Sequence, residues 1–179
     1  GVAGVAIGLA FFARPYTAVL FAVPFIAHAC WTLVREPRAT FPRQLATATL
    51  GLAGVGLALA YNAVVTGSPL VFPYEAFAPL DGLGFGHRQI LDHEIDYTVG
   101  LALRANALVL KAFVTEWIAG GVLGAAVAGI GFAVAVRRGL SPRESIFAGQ
   151  VVTITVGNVY FWGNFNLLGN LERAGDGLI

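Results

Sequence analysis

Charge is what this sequence has least of. Asp, Glu, Lys and Arg together supply 12% of its 179 residues, about half the roughly 25% usual in a soluble domain. With 57% hydrophobic residues the chain has too little polar surface to cover itself in water, whereas in lipid the outside is free to be apolar. Methionine is absent and cysteine occurs once, at Cys30. A lone cysteine excludes a disulfide within the chain and a metal site built on thiolates alone. No basic patch is interleaved with aromatics, so nucleic acid is not an expected partner. No Ser/His/Asp set, Cys/His pair or Walker-type loop is readable.

The few charges are unevenly placed. Residues 15–34, 44–74, 117–136 and 145–171 carry no Asp, Glu, Lys or Arg. Each stretch holds a run near the ~20 apolar residues that cross a ~30 Å hydrocarbon core. These runs predict an all-α fold: a polytopic transmembrane helix bundle forming a single domain over residues 1–179. Its expected spans are 16–34, 45–66, 118–136 and 145–165, about four in full, with 1–13 as the remnant of a first helix. The start at Gly1 without a methionine, and an equally abrupt tail, suggest a fragment cut at both ends. Residues 67–96 read as a long loop. Residues 97–116, with Arg104, Lys111 and Thr115 on one helical face, read as an amphipathic helix lying in the membrane interface among lipids.

Short loops rich in Arg stay cytoplasmic. Arg35, Arg38 and Arg43 lie in one connector and Arg137, Arg138 and Arg143 in another. If both are cytoplasmic, the chain crosses an even number of times between them, and residues 67–116 are extracytoplasmic. Most of the acidic residues then fall on that outer side.

Four groups of residues are candidates for chemistry. Asp92, His93, Glu94 and Asp96, with His87 and Arg88 upstream, combine carboxylates and imidazole in a way suited to acid–base work or a divalent cation. The plainer reading is a solvated loop with local ion pairs. Arg14, Arg88, Arg104 and Lys111 would hold phosphate if they converge, although Arg14 could equally be a helix-end residue snorkelling to headgroups. The glycines of Gly82-Leu83-Gly84-Phe85-Gly86 suit a tight turn rather than a nucleotide loop, since no βαβ unit surrounds them. Tyr160, Trp162, Asn164 and Asn166 fit either an interfacial aromatic belt or a sugar-contacting face.

Several of these pieces form a series: Arg14-Pro15-Tyr16-Thr17-Ala18 opening a helix, Tyr61-Asn62-Ala63-Val64-Val65-Thr66-Gly67-Ser68-Pro69-Leu70 closing another, Phe72-Pro73-Tyr74, Asp81 through Gly86, and Phe161-Trp162-Gly163-Asn164. The series resembles the later transmembrane half of family-39-like glycosyltransferases of the GT-C superfamily, the group that includes protein mannosyltransferases and lipid A aminoarabinose transferases. That resemblance implies transfer of a sugar from a polyprenyl-phosphate donor on the extracytoplasmic face. The family's catalytic acidic residue would lie upstream of Gly1, so the chain would not be catalytic alone. Arg14, His87, Arg88 and Arg104 would then neutralise the phosphate leaving group. Tyr74, Glu75, Asp92, His93 and Asp96 would line the cavity, with Trp162 and Asn164 toward the sugar. No metal ligand is assigned, and a divalent cation is the one cofactor left open. The rival expectations are half of a lipid or solute transporter or flippase, and a non-catalytic membrane scaffold.

Overall fold

A computed structural model describes residues 1–90 and 93–161, with Ile90 and His93 by backbone alone. The chain divides into two compact units, residues 1–79 with 141–154, and residues 80–140 with 155–179.

The first unit is helical. It holds α1 (Val2–Ala13), α2 (Pro15–Arg35), α3 (Pro37–Thr66), the short α4 (Pro73–Phe77) and most of α7 (Pro142–Gly157). Arg14 alone separates α1 from α2, with extended backbone (φ −148°, ψ 84°) and Pro15 opening the next helix, where a missing N–H costs nothing. The prolines of residues 35–43 suggest a loop, but the structure keeps only Glu36 out of helix. Pro37 occupies the first position of α3, and Pro42, further in, removes a single ladder donor.

Small residues hold these helices together. A Cβ built on Gly4 would strike the Thr47 backbone, and one on Gly8 would sit 2.9 Å from the Gly54 Cα. The backbones of α1 and α3 therefore touch, which only glycine allows. Gly4 meets Thr47 and Gly51 while Gly8 meets Gly51 and Gly54, so α1 and α3 run parallel and α2 returns between them. Helix α7 packs on α2 with Gly149 against Pro24 and Thr153 against Leu20, antiparallel to α2.

Burial in this unit is inverted relative to a water-soluble core. Ala18, Ala22, Ala58 and the interface glycines are shut away, while Leu57 is 69% and Val64 86% exposed. Helices that present aliphatic side chains outward and small ones inward are arranged for lipid. By length and composition α2, at 21 residues, and α3, at 30, are candidate membrane spans. Helix α2 extends about 31 Å, matching the hydrocarbon core.

The second unit departs from the all-helical expectation. Strands β1 (Gly86–Ile90) and β2 (His93–Tyr97) pair antiparallel, with His87 opposite Asp96, Arg88 opposite Ile95 and Gln89 opposite Glu94. Alternation of polar and apolar residues along Glu94-Ile95-Asp96-Tyr97 is the strand period. It puts Tyr97, 1% exposed, into a small core with Ala102 and Ala105. Thr98 caps α5 (Val99–Ala112) by accepting the Leu101 N–H, and a π turn follows at Phe113–Trp117. The expected interfacial helix thus begins two residues later than 97. Helix α6 (Gly121–Arg137) has 17 residues, and the α5–π segment meets it at a 102° bend; counted as one broken span, this pair brings the candidate crossings to three. Of the expected span at 145–165, the described part is the greater part of α7 followed by a 3-10 turn at Asn158–Tyr160, and residues 162–165 lie outside the described residues.

Pro24 has no N–H for the Leu20 carbonyl one turn back, and Thr153 Oγ1 donates to that carbonyl at 3.0 Å. Thr153→Val should lower the unfolding free energy in detergent micelles by about 1 kcal/mol, and Gly149→Leu by more, because the Pro24 ring fills that space. A Thr153→Val protein as stable as the parent would show that the carbonyl needs no second donor.

Candidate functional site

Polar side chains gather at two places. In the first unit they lie where α1 ends, α2 begins and α3 closes. The order of the helices puts Arg14 at the same end as Thr66, and two ring contacts join these segments: Phe12 with Tyr61 at 5.3 Å and Phe11 with Phe72 at 6.3 Å. Asn62, 2% exposed, donates from Nδ2 to the Pro69 carbonyl at 3.2 Å. Thr66 Oγ1 lies within 3.0 Å of the Asn62, Ser68 and Val71 carbonyls and accepts the Ser68 N–H. Gly67 takes the left-handed conformation, φ 79°, and its N–H returns to Ala63. The Asn62 to Pro69 segment is therefore a helix terminus whose carbonyls are met from within.

Beyond it, Glu75 Oε2 accepts the Phe72 N–H at the start of α4, Tyr74 donates to Glu75 Oε1 at 3.4 Å, and the Tyr74 ring stacks on Phe72. Tyr74 and Glu75 are thus brought together, with the carboxylate occupied as a cap. Arg14 is exposed, and its guanidinium has no hydrogen bond or ion pair among the described residues.

The second place is the hairpin. His87 Nδ1 lies 3.2 Å from Asp96 Oδ1, a cross-strand pair on the outward face; that distance leaves Nε2 pointing elsewhere. Arg88 is on the opposite face. Its Nη2 donates to the Leu83 carbonyl at 2.7 Å and the Phe85 carbonyl at 3.1 Å, and its Nε to Gly84 at 3.2 Å. Gly84, at φ 97°, donates its N–H to the Tyr160 carbonyl, and a Cβ there would meet the Tyr160 hydroxyl at 3.0 Å. Phe85 stacks on Tyr97 and meets Tyr160 edge-on, while the Tyr97 hydroxyl donates to Val159 at 2.8 Å. The glycine run is a turn clasped by Arg88.

This alters the expected division of labour. Arg88 was expected at a phosphate; in the structure three of its donor contacts go to its own loop, which makes it a positioning residue. Tyr160, read as belt or sugar contact, is part of the same clasp. Arg104 on α5 is exposed and unpaired among the described residues. His93 stands opposite Ile90 in register, and Asp92, Trp162 and Asn164 lie outside the described residues. Among the described residues no three His, Cys, Asp or Glu side chains gather as a metal site would require. Comparison of the chain with protein families, with curated proteins and with solved structures finds no match.

Replacing Arg88 tests the clasp. Arg88→Met should raise deuterium exchange at the Gly84 amide about tenfold to a hundredfold, the loss of charge-assisted bonds worth roughly 1.5–3 kcal/mol, with Arg88→Lys intermediate. Unchanged exchange in both variants would mean that the loop holds itself.

Proposed function

We propose that the chain is the membrane-embedded portion of a GT-C-type glycosyltransferase that moves a sugar from a polyprenyl-phosphate donor to an acceptor on the extracytoplasmic side. The observation that carries this reading is the polarity of the first unit. With α1, α3 and α7 parallel and α2 reversed, Arg35, Arg38, Arg43 and Arg143 fall at one end. Thr32, near the close of α2, meets Thr40 and Gln44 near the start of α3, consistent with that pairing. Four arginines at helix ends joined by short turns favour a cytoplasmic position.

The other end holds Arg14-Pro15, the Asn62 to Pro69 terminus and the Phe72-Pro73-Tyr74 segment, three of the five pieces that carry the resemblance. They are distant in sequence and adjacent in the fold. In this reading the protein is multi-pass, residues 67–116 are extracytoplasmic, and Arg14 is the cation offered to a lipid-linked phosphate at membrane depth, where an unpaired Arg calls for a partner.

A transporter half is the second reading, favoured by the break between Trp117 and Gly121, since transporters build sites on discontinuous helices. Against it, the charges of α2 and α3 sit at the Arg-rich end and none at mid-depth.

Two measurements test the transferase reading. With Cys30 replaced by Ser, a cysteine at Ser68 should react with an impermeant maleimide in intact cells and one at Thr40 only after permeabilisation; the reverse pattern removes the proposed topology. In the full-length protein Arg14→Ala should lower sugar transfer by about a hundredfold, with Arg14→Lys retaining part, and undiminished transfer would take Arg14 out of the site.

A further inference from the structure

Helix α5 carries a feature that the clasp does not use and of which the transfer reading takes Arg104 alone. Ala102 and Ala105 face the core of the second unit. On the far side stand Arg104 and Lys111, seven residues apart, both exposed. Two turns bring them onto one face about 10 Å apart along the axis. Gly100 and Ala107 lie on that face and are exposed, and a Cβ added at Gly100 would meet nothing within 4 Å. Between the two cations this face carries the small, exposed Ala107, and neither cationic side chain is held by a carboxylate among the described residues.

Beside this basic face runs an apolar flank: Val99 is 54%, Leu103 55%, Leu110 43% and Trp117 78% exposed. At its end the helix loosens into the π turn, with the Ile118 N–H reaching back to Phe113, and Gly120 and Gly121 at positive φ (82° and 56°) turn the chain through 102° into α6. A near-right angle between an amphipathic helix and an apolar one is the geometry required when the second enters the hydrocarbon and the first stays in the headgroup plane.

We propose that α5 lies in the membrane interface and that Arg104 and Lys111 jointly hold the phosphate of an anionic lipid headgroup, its acyl chains resting against Leu103, Leu110 and Trp117. Charge complementarity argues for this occupant: the face offers two cations and no acid before Glu116. The apolar flank argues for a lipid instead of a free anion. Guanidinium and ammonium reach one phosphate from opposite sides, with Ala107 between them leaving room. The inference rests on the membrane part of the reading above and not on sugar transfer.

The full chain, purified in a neutral detergent, is mixed with dioleoyl phosphatidic acid, dioleoylglycerol or inorganic phosphate and examined by native mass spectrometry. Phosphatidic acid should be retained over dioleoylglycerol by about tenfold or more. The double variant R104Q/K111Q should lose that preference, and R104K/K111R, which keeps both charges, should retain it. Preference undiminished in R104Q/K111Q, or lost equally in the charge-conserving variant, would overturn the proposal. Displacement of the lipid by millimolar inorganic phosphate would overturn the lipid as occupant. Because no transfer is measured, loss of the glycosyltransferase reading would leave this result standing.

Discussion

A backbone carbonyl without a donor is costly in apolar surroundings, and the first unit is arranged around the places where one would otherwise appear. Pro24 interrupts the ladder of α2 at Leu20, and the hydroxyl of Thr153, from a helix more than a hundred residues away, meets that carbonyl. Gly149, one turn before Thr153, leaves room for the Pro24 ring. At the end of α3 the same demand is met locally, by Thr66, Asn62 and the left-handed Gly67. The glycine contacts of α1 with α3 follow from the complementary constraint: where lipid removes the hydrophobic drive between helices, association depends on close backbone approach, and a side chain at Gly4 or Gly8 would prevent it.

These demands also fix where polar chemistry can sit. The interior of the unit is lined by Ala and Gly and offers no ionisable group, so function is pushed to the ends. One end gathers arginines in the terminal turns of α2, α3 and α7. The other gathers a capped helix terminus, a short helix opened by Glu75, and an Arg14 with no partner among the described residues. The asymmetry between the two ends is a consequence of parallel α1, α3 and α7 joined through a reversed α2.

Much of this was legible in the sequence, and the failures have physical causes. Uninterrupted apolar runs located α1, α2 and the greater part of α3. The stretch from 35 to 43 reads as a connector because it holds two prolines, yet the opening of a helix tolerates Pro37 and α3 absorbs Pro42 at the cost of one ladder donor. The true start of α7 was signalled by Ser141-Pro142-Arg143-Glu144, a capping box in which Ser141 N–H is accepted by Glu144 and Glu144 N–H by Ser141. The hairpin was hidden because its alternation is short and its outward face is charged, so it resembles a solvated loop. The role of Arg88 was not readable at all, since its partners are carbonyls and carbonyls carry no sequence signature.

The distinction that matters for function is between cations whose donors are already engaged and cations whose donors are not. Arg88 belongs to the first kind: with three contacts to Leu83, Gly84 and Phe85, binding a phosphate would require it to abandon the turn that places Phe85 against Tyr97. Arg35, lying 4.2 Å over the Trp31 ring, is likewise partly committed, and its position suits an anchor at the water interface. Arg14, Arg104 and Lys111 belong to the second kind. An anion drawn to this protein gains most from donors that give up nothing to receive it. Under the proposed reading phosphate falls, within each unit separately, to Arg14 in the first and to the exposed face of α5 in the second, while the His87–Asp96 pair and Arg88, the residues that look most catalytic in the sequence, are engaged within the hairpin itself.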